Sequence, residues 1–488
     1  MPSSIKKIVF YTIAFVILTL FYAHISSQIL PNSDAVSGLL AGKDMANGNW
    51  TLGGWHLSTV SFYFTDIIWY GLASKSFGYG AYQAYLIPAI MYSMVTLMTF
   101  YLSRENAGSL WAIAFCVAIP SGFAALNTLI AVIHVGTYVC MLVCIIMIER
   151  YTKTDSLLSI IIYTLSLTLA CFSDDIIKLL MLSPILISSI YFFAKEKRPV
   201  YIIILFASLL AYVASKMMVR YARSNGWFIL PGIPAPTFVA FDDIGNNLYL
   251  FTKGFLLYSG AFFFGKSPSD ITAILSVFCF IILTILIIVC ALSIKEIFTT
   301  SILNMTICLA CLVMVPAYLV SNRPIDVWTI RYIVSFFILA PVVIGRSSLS
   351  KGWRFCMLGA VVIAVLVSSV VVSEKKDISS DIINQLKLAI RENHLENGYA
   401  SFWFASSVSI DGDISVAPLD VNRGLNILAC NRWLSKAEWY QRGGNFIITD
   451  DNLMREMTIK SFGTPYKVIN VGDKQIFVYK KNITFSCD

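Results

Sequence analysis

The sequence predicts an all-α polytopic membrane domain of about eleven transmembrane helices, followed by a small C-terminal α/β domain. Three observations predict this. The chain of 488 residues is 57% hydrophobic and only 13% charged, about half the charge a soluble protein carries. Its apolar runs recur at lengths of roughly 17–25 residues, long enough to cross a bilayer. Finally, the composition changes sharply after Ser373. These features divide the chain into 1–373, the membrane domain, and 374–488, a soluble domain.

The elements follow in order. Apolar runs place spans near 8–25, 82–102, 109–126, 134–149, 156–172, 177–194, 199–217, 272–294, 301–320, 332–346 and 354–373. The first is not a cleavable signal, because no small-residue cleavage site follows it. Pro120, Ser121, Gly122 and Asn127 interrupt the third and the approach to the fourth. With the N-terminus cytoplasmic, the short inner loops carry Lys6, Lys7, Arg104, Arg150, Lys153, Lys195, Lys197, Arg198, Lys295, Arg346, Lys351 and Arg354. The long loops, 26–81 and 218–271, then face the opposite side together with the C-terminal domain. The second of these is rich in Phe, Tyr, Trp, Gly and Pro, and predicts helices lying at the interface, with Asp242 and Asp243 on a polar turn.

Beyond Ser373 there are fourteen Lys and Arg against fourteen Asp and Glu, so the net charge of +8 belongs to the membrane part. Topology explains it, and a nucleic-acid partner has no support. Helical spacing predicts a helix over 381–394, strands over 399–404 and 446–449, and a second helix over 452–462. A hairpin joins 466–471 to 474–479 at Gly472-Asp473. Nine of the eleven cysteines lie in or beside spans, where cysteine acts as a small hydrophobe. Cys430 and Cys487 lie in the soluble domain, where an oxidising compartment would permit a disulfide.

Chemistry-bearing residues gather at one level of the membrane domain. Asp34, Asp44, His56 and Asp66 occupy the first long loop, and His134 begins the fourth span. Asp174 and Asp175 sit at a tight turn. Lys216, Arg220, Arg223, Lys266, Arg323, Asp326 and Arg331 fall at the same level. An acid beside the hydrocarbon is costly, so Asp34 reads as functional unless it caps a helix starting at Ala35. Asp66 carries the same alternative. Asp174 or Asp175 reads as a cap of the sixth span or as functional, with Asp175 paired to Lys178. Carboxylates can deprotonate a hydroxyl, while Arg and Lys can hold a phosphate. No Cys or His spacing typical of a metal site is present.

Pro31-Asn32-Ser33-Asp34 after the first span, then Ala46-Asn47-Gly48-Asn49-Trp50, then Phe64-Thr65-Asp66, resemble the type C glycosyltransferases. Arg331-Tyr332 is similar to a basic-aromatic pair at the mouth of a late span in that superfamily. The resemblance implies a polyprenyl-phosphate sugar donor and an acceptor that is a glycan, lipid or protein. It implies the bacterial cytoplasmic membrane, with the C-terminal domain extracytoplasmic. Asp34 would be the base on the acceptor, and Arg331, with Lys266 or Arg323, would grip the phosphate. Many members have paired acids in the first loop and another acid between spans three and four, whereas here Asp34 stands alone and only His134 occupies the second place. The second catalytic group is therefore open among His134, Asp66 and Asp174, with Asp174 also a candidate substrate ligand. A divalent cation is the one cofactor that the resemblance leaves open. An O-antigen-type polymerase or ligase and a lipid-linked glycan flippase are the competing classes.

Overall fold

The computed structural model describes residues 3–104, 106–232, 234, 236–349, 359–367, 379–422, 427–485 and 487. The chain is mostly helical. Among the described residues, eight helices are long and apolar enough to cross a membrane: Ile5–Ser27, Gln83–Leu102, Val135–Thr154, Lys178–Glu196, Pro199–Ser224, Ile271–Ile297, Ile302–Val320 and Val327–Arg346. A ninth is formed if Ala107–Ala118 and Gly122–Thr128, bent 73° to each other, make one span. The bend falls where Pro120 cannot donate to a helical ladder. The count of eleven is thus not recovered. The expected span 156–172 is a helix of 17 residues, Leu157–Ser173. The expected span 354–373 lies largely outside the described residues, of which 359–367 are helical.

The helices pack around Val334–Arg346, every residue of which is buried. At the periphery, Ser3–Ser27 keeps Ile8, Ile13, Ile17 and Leu20 exposed. It meets Gln83–Leu102 through Tyr22, whose hydroxyl lies 2.8 Å from Thr96 Oγ1 and whose ring packs on Tyr92. Arg346 is a correction to the expected charge pattern. It is 7% exposed, not a loop charge, and it donates to the Leu102 carbonyl, Asn304 Oδ1 and Glu149 Oε2 at 2.8, 3.2 and 2.6 Å.

The C-terminal domain is a mixed sheet flanked by helices. Its strands are β2 (Asn397–Ser401), β3 (Ser415–Asn422), β4 (Ile427–Cys430), β6 (Gly444–Thr449), β7 (Lys467–Val471) and β8 (Lys474–Ile483). Their spatial order is β4-β3-β2-β6-β8-β7. The β2–β3 and β2–β6 pairs are parallel and the others antiparallel. Neighbouring residues point to opposite faces, as strand geometry requires. Ala400, Ile448 and Ile476 enter one core with Leu386 and Ile390, while Tyr399, Ile447 and Phe477 enter the other with Met454. The helices Ser379–Glu392 and Asn452–Phe462 and the hairpin at Gly472 agree with the sequence. The strand expected over 399–404 ends at Ser401, and Phe402–Val408 is helical. Cys430 and Cys487 are disulfide-bonded.

Two short strands tie this domain to the first long loop. β1 (Trp55–His56) pairs antiparallel with β5 (Ser435–Lys436). Trp55 packs edge-on against Trp439, and the Ala437 N–H donates to Gly54 O at 2.9 Å.

Candidate active site

Asp34 lies in the first turn of the helix Ser33–Ala46. It does not cap that helix. Asn32 does so, its Oδ1 accepting from Ala35 N at 3.0 Å, as an N-cap amide should. The Asp34 carboxyl is left for other work. Burial raises its pKa, opposed by the Arg331 guanidinium and by the Trp433 side chain.

Arg331 comes from a 3₁₀ turn, Val327–Ile333, whose start is capped by Asp326 through Trp328 N and Thr329 N. The Tyr138 hydroxyl donates to the Arg331 carbonyl at 3.0 Å and fixes the turn. The guanidinium lies 5.6 Å from the Tyr332 ring centre, yet its Nε is buried without a hydrogen-bond partner. A buried, unmatched cationic donor costs free energy unless an anion meets it. Sequence reasoning expected Asp34 and Arg331 at one site; the fold brings the guanidinium near enough to oppose the rise in the Asp34 pKa, and no ion pair joins the two among the described residues.

A second group of acids lies next to them. His134 Nδ1 is 2.6 Å from Asp174 Oδ2, and Thr137 Oγ1 donates to the same oxygen at 2.6 Å. Asp174 Oδ1 accepts from Ile176 N at 3.2 Å. Burial alone would raise the Asp174 pKa, but His134 and these donors outweigh it and hold the carboxyl below its ordinary value. The His134 ring packs edge-on against Tyr332, beside Arg331, and against Phe62. With Nδ1 committed to Asp174, Nε2 is the ring nitrogen left for another partner.

Asp66 belongs to a π-helical turn, Tyr63–Ile67, and is 2% exposed. Its Oδ2 makes no hydrogen bond. Burial pushes its pKa up to about 7, and Asp174 adds to the rise, against Thr65, His134 and the Gly136 backbone. Gly136 permits this packing: a Cβ there would lie 1.8 Å from Thr65 O and 3.2 Å from Asp66 Oδ2. Phe62, Val132 and His134 all adopt positive φ around this cluster, at 48°, 57° and 72°. Such strain in non-glycine residues collects at functional sites. The three alternatives for a second catalytic group, His134, Asp66 and Asp174, are thus neighbours in one network.

Lys266 and Arg323 are tied elsewhere. Lys266 donates to Ser276 Oγ at 3.1 Å and borders an apolar cavity of about 210 Å³ lined by Phe123, Leu257, Phe262 and Leu275. Arg323 donates to the Pro234 carbonyl at 2.9 Å. His56 lies in β1, and burial and the nearby Arg432 lower its pKa. Asp44 takes Lys436 and the Trp55 and Asn49 side chains, a structural set. Asp175 pairs with Lys178, and Asp242 and Asp243 form a turn, both as expected.

Among the described residues, no group of three or more His, Cys, Asp or Glu is arranged to hold a metal ion. Asp174 Oδ2 is already shared by His134 and Thr137, and His134, Asp174 and Asp66 together do not form such a group. Sequence reasoning missed Trp433, Thr137, Tyr138 and Gly136. Of these, only Gly136 carried a local signal, being a poor helix former at the start of an apolar helix. A scan of protein-family models finds no match to the chain, and a search of curated proteins finds none either.

Proposed function

We propose that the chain is a multi-pass membrane glycosyltransferase of the type C superfamily, using a polyprenyl-phosphate sugar and an extracytoplasmic glycan, lipid or protein acceptor. One observation carries this reading: the half-buried carboxyl of Asp34 lies within the electrostatic reach of Arg331, whose buried Nε lacks a partner. Base and phosphate grip are the two functions that transfer from a glycosyl phosphate needs. The exposed apolar faces of helices such as Ile5–Ser27 and Ile271–Ile297 suit a lipid solvent, which supports the multi-pass setting.

In this mechanism Asp34 takes the proton of the acceptor hydroxyl as that oxygen bonds to the sugar C1. The bond from C1 to the phosphate oxygen breaks, its electron pair stays on that oxygen, and Arg331 stabilises the added charge. Inversion at C1 follows from the family resemblance. The raised pKa of Asp34 suits a base better than an ordinary surface carboxylate. The His134–Asp174 pair would orient Tyr332 and the Arg331 turn.

A lipid-linked glycan flippase is the second reading, and the 73° break between Ala107–Ala118 and Gly122–Thr128 favours it, because transporters build sites at broken helices. The deciding experiment is Asp34→Asn in purified, folded protein, assayed for transfer from a panel of polyprenyl-phosphate sugars. We expect a loss on the order of 10²–10⁴-fold. Full transfer by the variant removes Asp34 from the mechanism. No transfer by the wild type across the panel points to the flippase.

A further inference from the structure

The strands β2 and β6 lie side by side and parallel, with Ala400 opposite Ile448. Beyond them the chain leaves on opposite faces of the sheet. After β2, the helix Phe402–Val408 sends Ala405 and Val408 into the core of Leu386 and Ile390. After β6, the helix Asn452–Phe462 sends Met454 and Met457 into the core of Tyr399 and Ile447. Such a divergence opens a crevice at the carboxyl ends of the two strands, the place where open α/β sheets bind ligands. Polar groups line it. Ser401 Oγ donates to Asp450 Oδ2 at 2.6 Å, from the end of one strand to the end of the other. Asp451, not Asp450, caps the helix that follows β6, accepting from Met454 N at 2.7 Å. Among the described residues, nothing bonds Asp450 Oδ1. β8 places Lys474 at the same level, because its neighbour Gln475 pairs with Thr449. Lys474 Nζ donates to the Asp450 carbonyl at 3.2 Å and to Asp473 Oδ2 at 2.8 Å, and lies 5.5 Å from the Phe404 ring centre. Trp403, in the first turn after Ser401, is 60% exposed.

We propose that this crevice is a subsite for a sugar unit of the acceptor, which makes the acceptor a glycan. The proposal rests on the glycosyltransferase reading. A sugar ring offers neighbouring hydroxyls at its edge and C–H groups on its face. Ionised Asp450 Oδ1 only accepts, so it takes a sugar hydroxyl, and a remaining Lys474 N–H donates to the next. Such bonds to charged groups are the stronger kind. Ser401 keeps the carboxylate in place, and the exposed indole of Trp403 offers an apolar surface for the C–H face. A lipid tail in the crevice would leave Asp450 and Lys474 unmatched, at a cost. The crevice also adjoins the base. Ser33 Oγ donates to the Phe402 carbonyl at 2.5 Å. Asp34 follows Ser33 and Ser401 precedes Phe402, so a single hydrogen bond joins their immediate neighbours. Ser407 Oγ reinforces the join, donating to the Pro31 carbonyl at 3.4 Å. A glycan held at Asp450 is thereby anchored beside the helix that carries Asp34, and an adjoining unit carries the hydroxyl that reacts.

The test uses the full chain in detergent and a panel of trisaccharides built from glucose, galactose, mannose or N-acetylglucosamine. Saturation-transfer NMR reads binding and needs no transfer reaction. The variants are Trp403→Ala, which removes an exposed side chain, and Asp450→Ala, each checked for folding by thermal melting. We expect at least one trisaccharide to bind the wild type, with affinity falling roughly tenfold in each variant. With that sugar as acceptor in a transfer assay, its KM rises in step while kcat holds, as for loss of a contact made equally throughout the reaction. A wild type that binds no trisaccharide overturns the proposal. So does unchanged affinity in Trp403→Ala protein that melts like the wild type. Loss of affinity in Trp403→Ala with none in folded Asp450→Ala also overturns it, because the sugar then lies outside the crevice. If sugars bind as expected and the wild type transfers nothing, the glycosyltransferase reading fails on its own, and the crevice stands as a sugar-binding site.

Discussion

Asp66 is a carboxyl withdrawn from water without a full set of partners, and its titration is a statement about stability. Its pKa rises from 3.8 to about 7 on folding. Between those values the unfolded chain loses the proton and the folded chain keeps it, so stability falls as pH rises from about 4 to about 7 and then levels. Asp66→Asn removes this penalty. The variant should match the wild type near pH 4 and melt progressively higher than it up to pH 7, as read by thermal unfolding in detergent. A constant gap across that range would show that Asp66 is not the titrating group. Asp174 carries the opposite sign: its lowered pKa gives stability above the unfolded value, lost as pH falls through the folded one. At this scale the sequence displayed the right residue types, since Asp34, Asp66, His134, Asp174 and Arg331 were legible as charges in costly places. It could not display their pairing. The link from His134 to Asp174 depends on a left-handed backbone at His134, which local propensity does not favour.

The elements show where pattern reading works and where it stops. Long apolar helices are legible because hydropathy over twenty residues outweighs local detail, and Gln83–Leu102 and Val135–Thr154 begin within one residue of expectation. The π turn Tyr63–Ile67 was not legible, because it is set by what packs against it, whereas the interruption at Pro120 was legible and only its 73° angle was not. β3 was missed for a specific reason: Pro418 interrupts its run, and proline demotes a strand read from sequence. Here the Pro418 carbonyl is used instead, by the Tyr440 hydroxyl at 2.6 Å and the Asn431 N–H at 3.0 Å. The junction of the π turn with the helix Val135–Thr154 yields a test. Gly136→Ala puts a methyl into the Thr65 carbonyl, so the turn carrying Asp66 must move. We expect transfer to fall on the order of 10²-fold, in line with a displacement of about 1 Å, while purified protein remains helical by circular dichroism. Unchanged transfer would detach the Asp66 turn from the reaction.

Over the whole molecule, one buried cation does what no loop charge can. Arg346 joins the carbonyl end of Gln83–Leu102, Glu149 of Val135–Thr154 and Asn304 of Ile302–Leu312 to the central helix. Arg346→Met fills the space but leaves Glu149 with only Lys153, 2.9 Å away at the surface. Breaking a buried ion pair from one side costs about 3–5 kcal/mol, and we expect a lower denaturation midpoint of that size, partly restored by Glu149→Gln in the same chain. A midpoint equal to wild type would mean the network is dispensable. Hydropathy and charge counting assigned Arg346 to a loop because they weigh a residue by its neighbours in sequence, and its partners are distant in the chain.

The pairing of β1 with β5 also fixes an order of assembly. Trp55 and His56 emerge from the ribosome long before Ser435 and Lys436, so until those residues are made the first loop has an open strand edge. During that time Asp44 lacks Lys436, Lys43 lacks the Gly412 carbonyl, and Ser33 lacks Phe402. The helix that carries Asp34 therefore reaches its final setting only after the domain that holds Phe402, Gly412 and Lys436 has been made and folded.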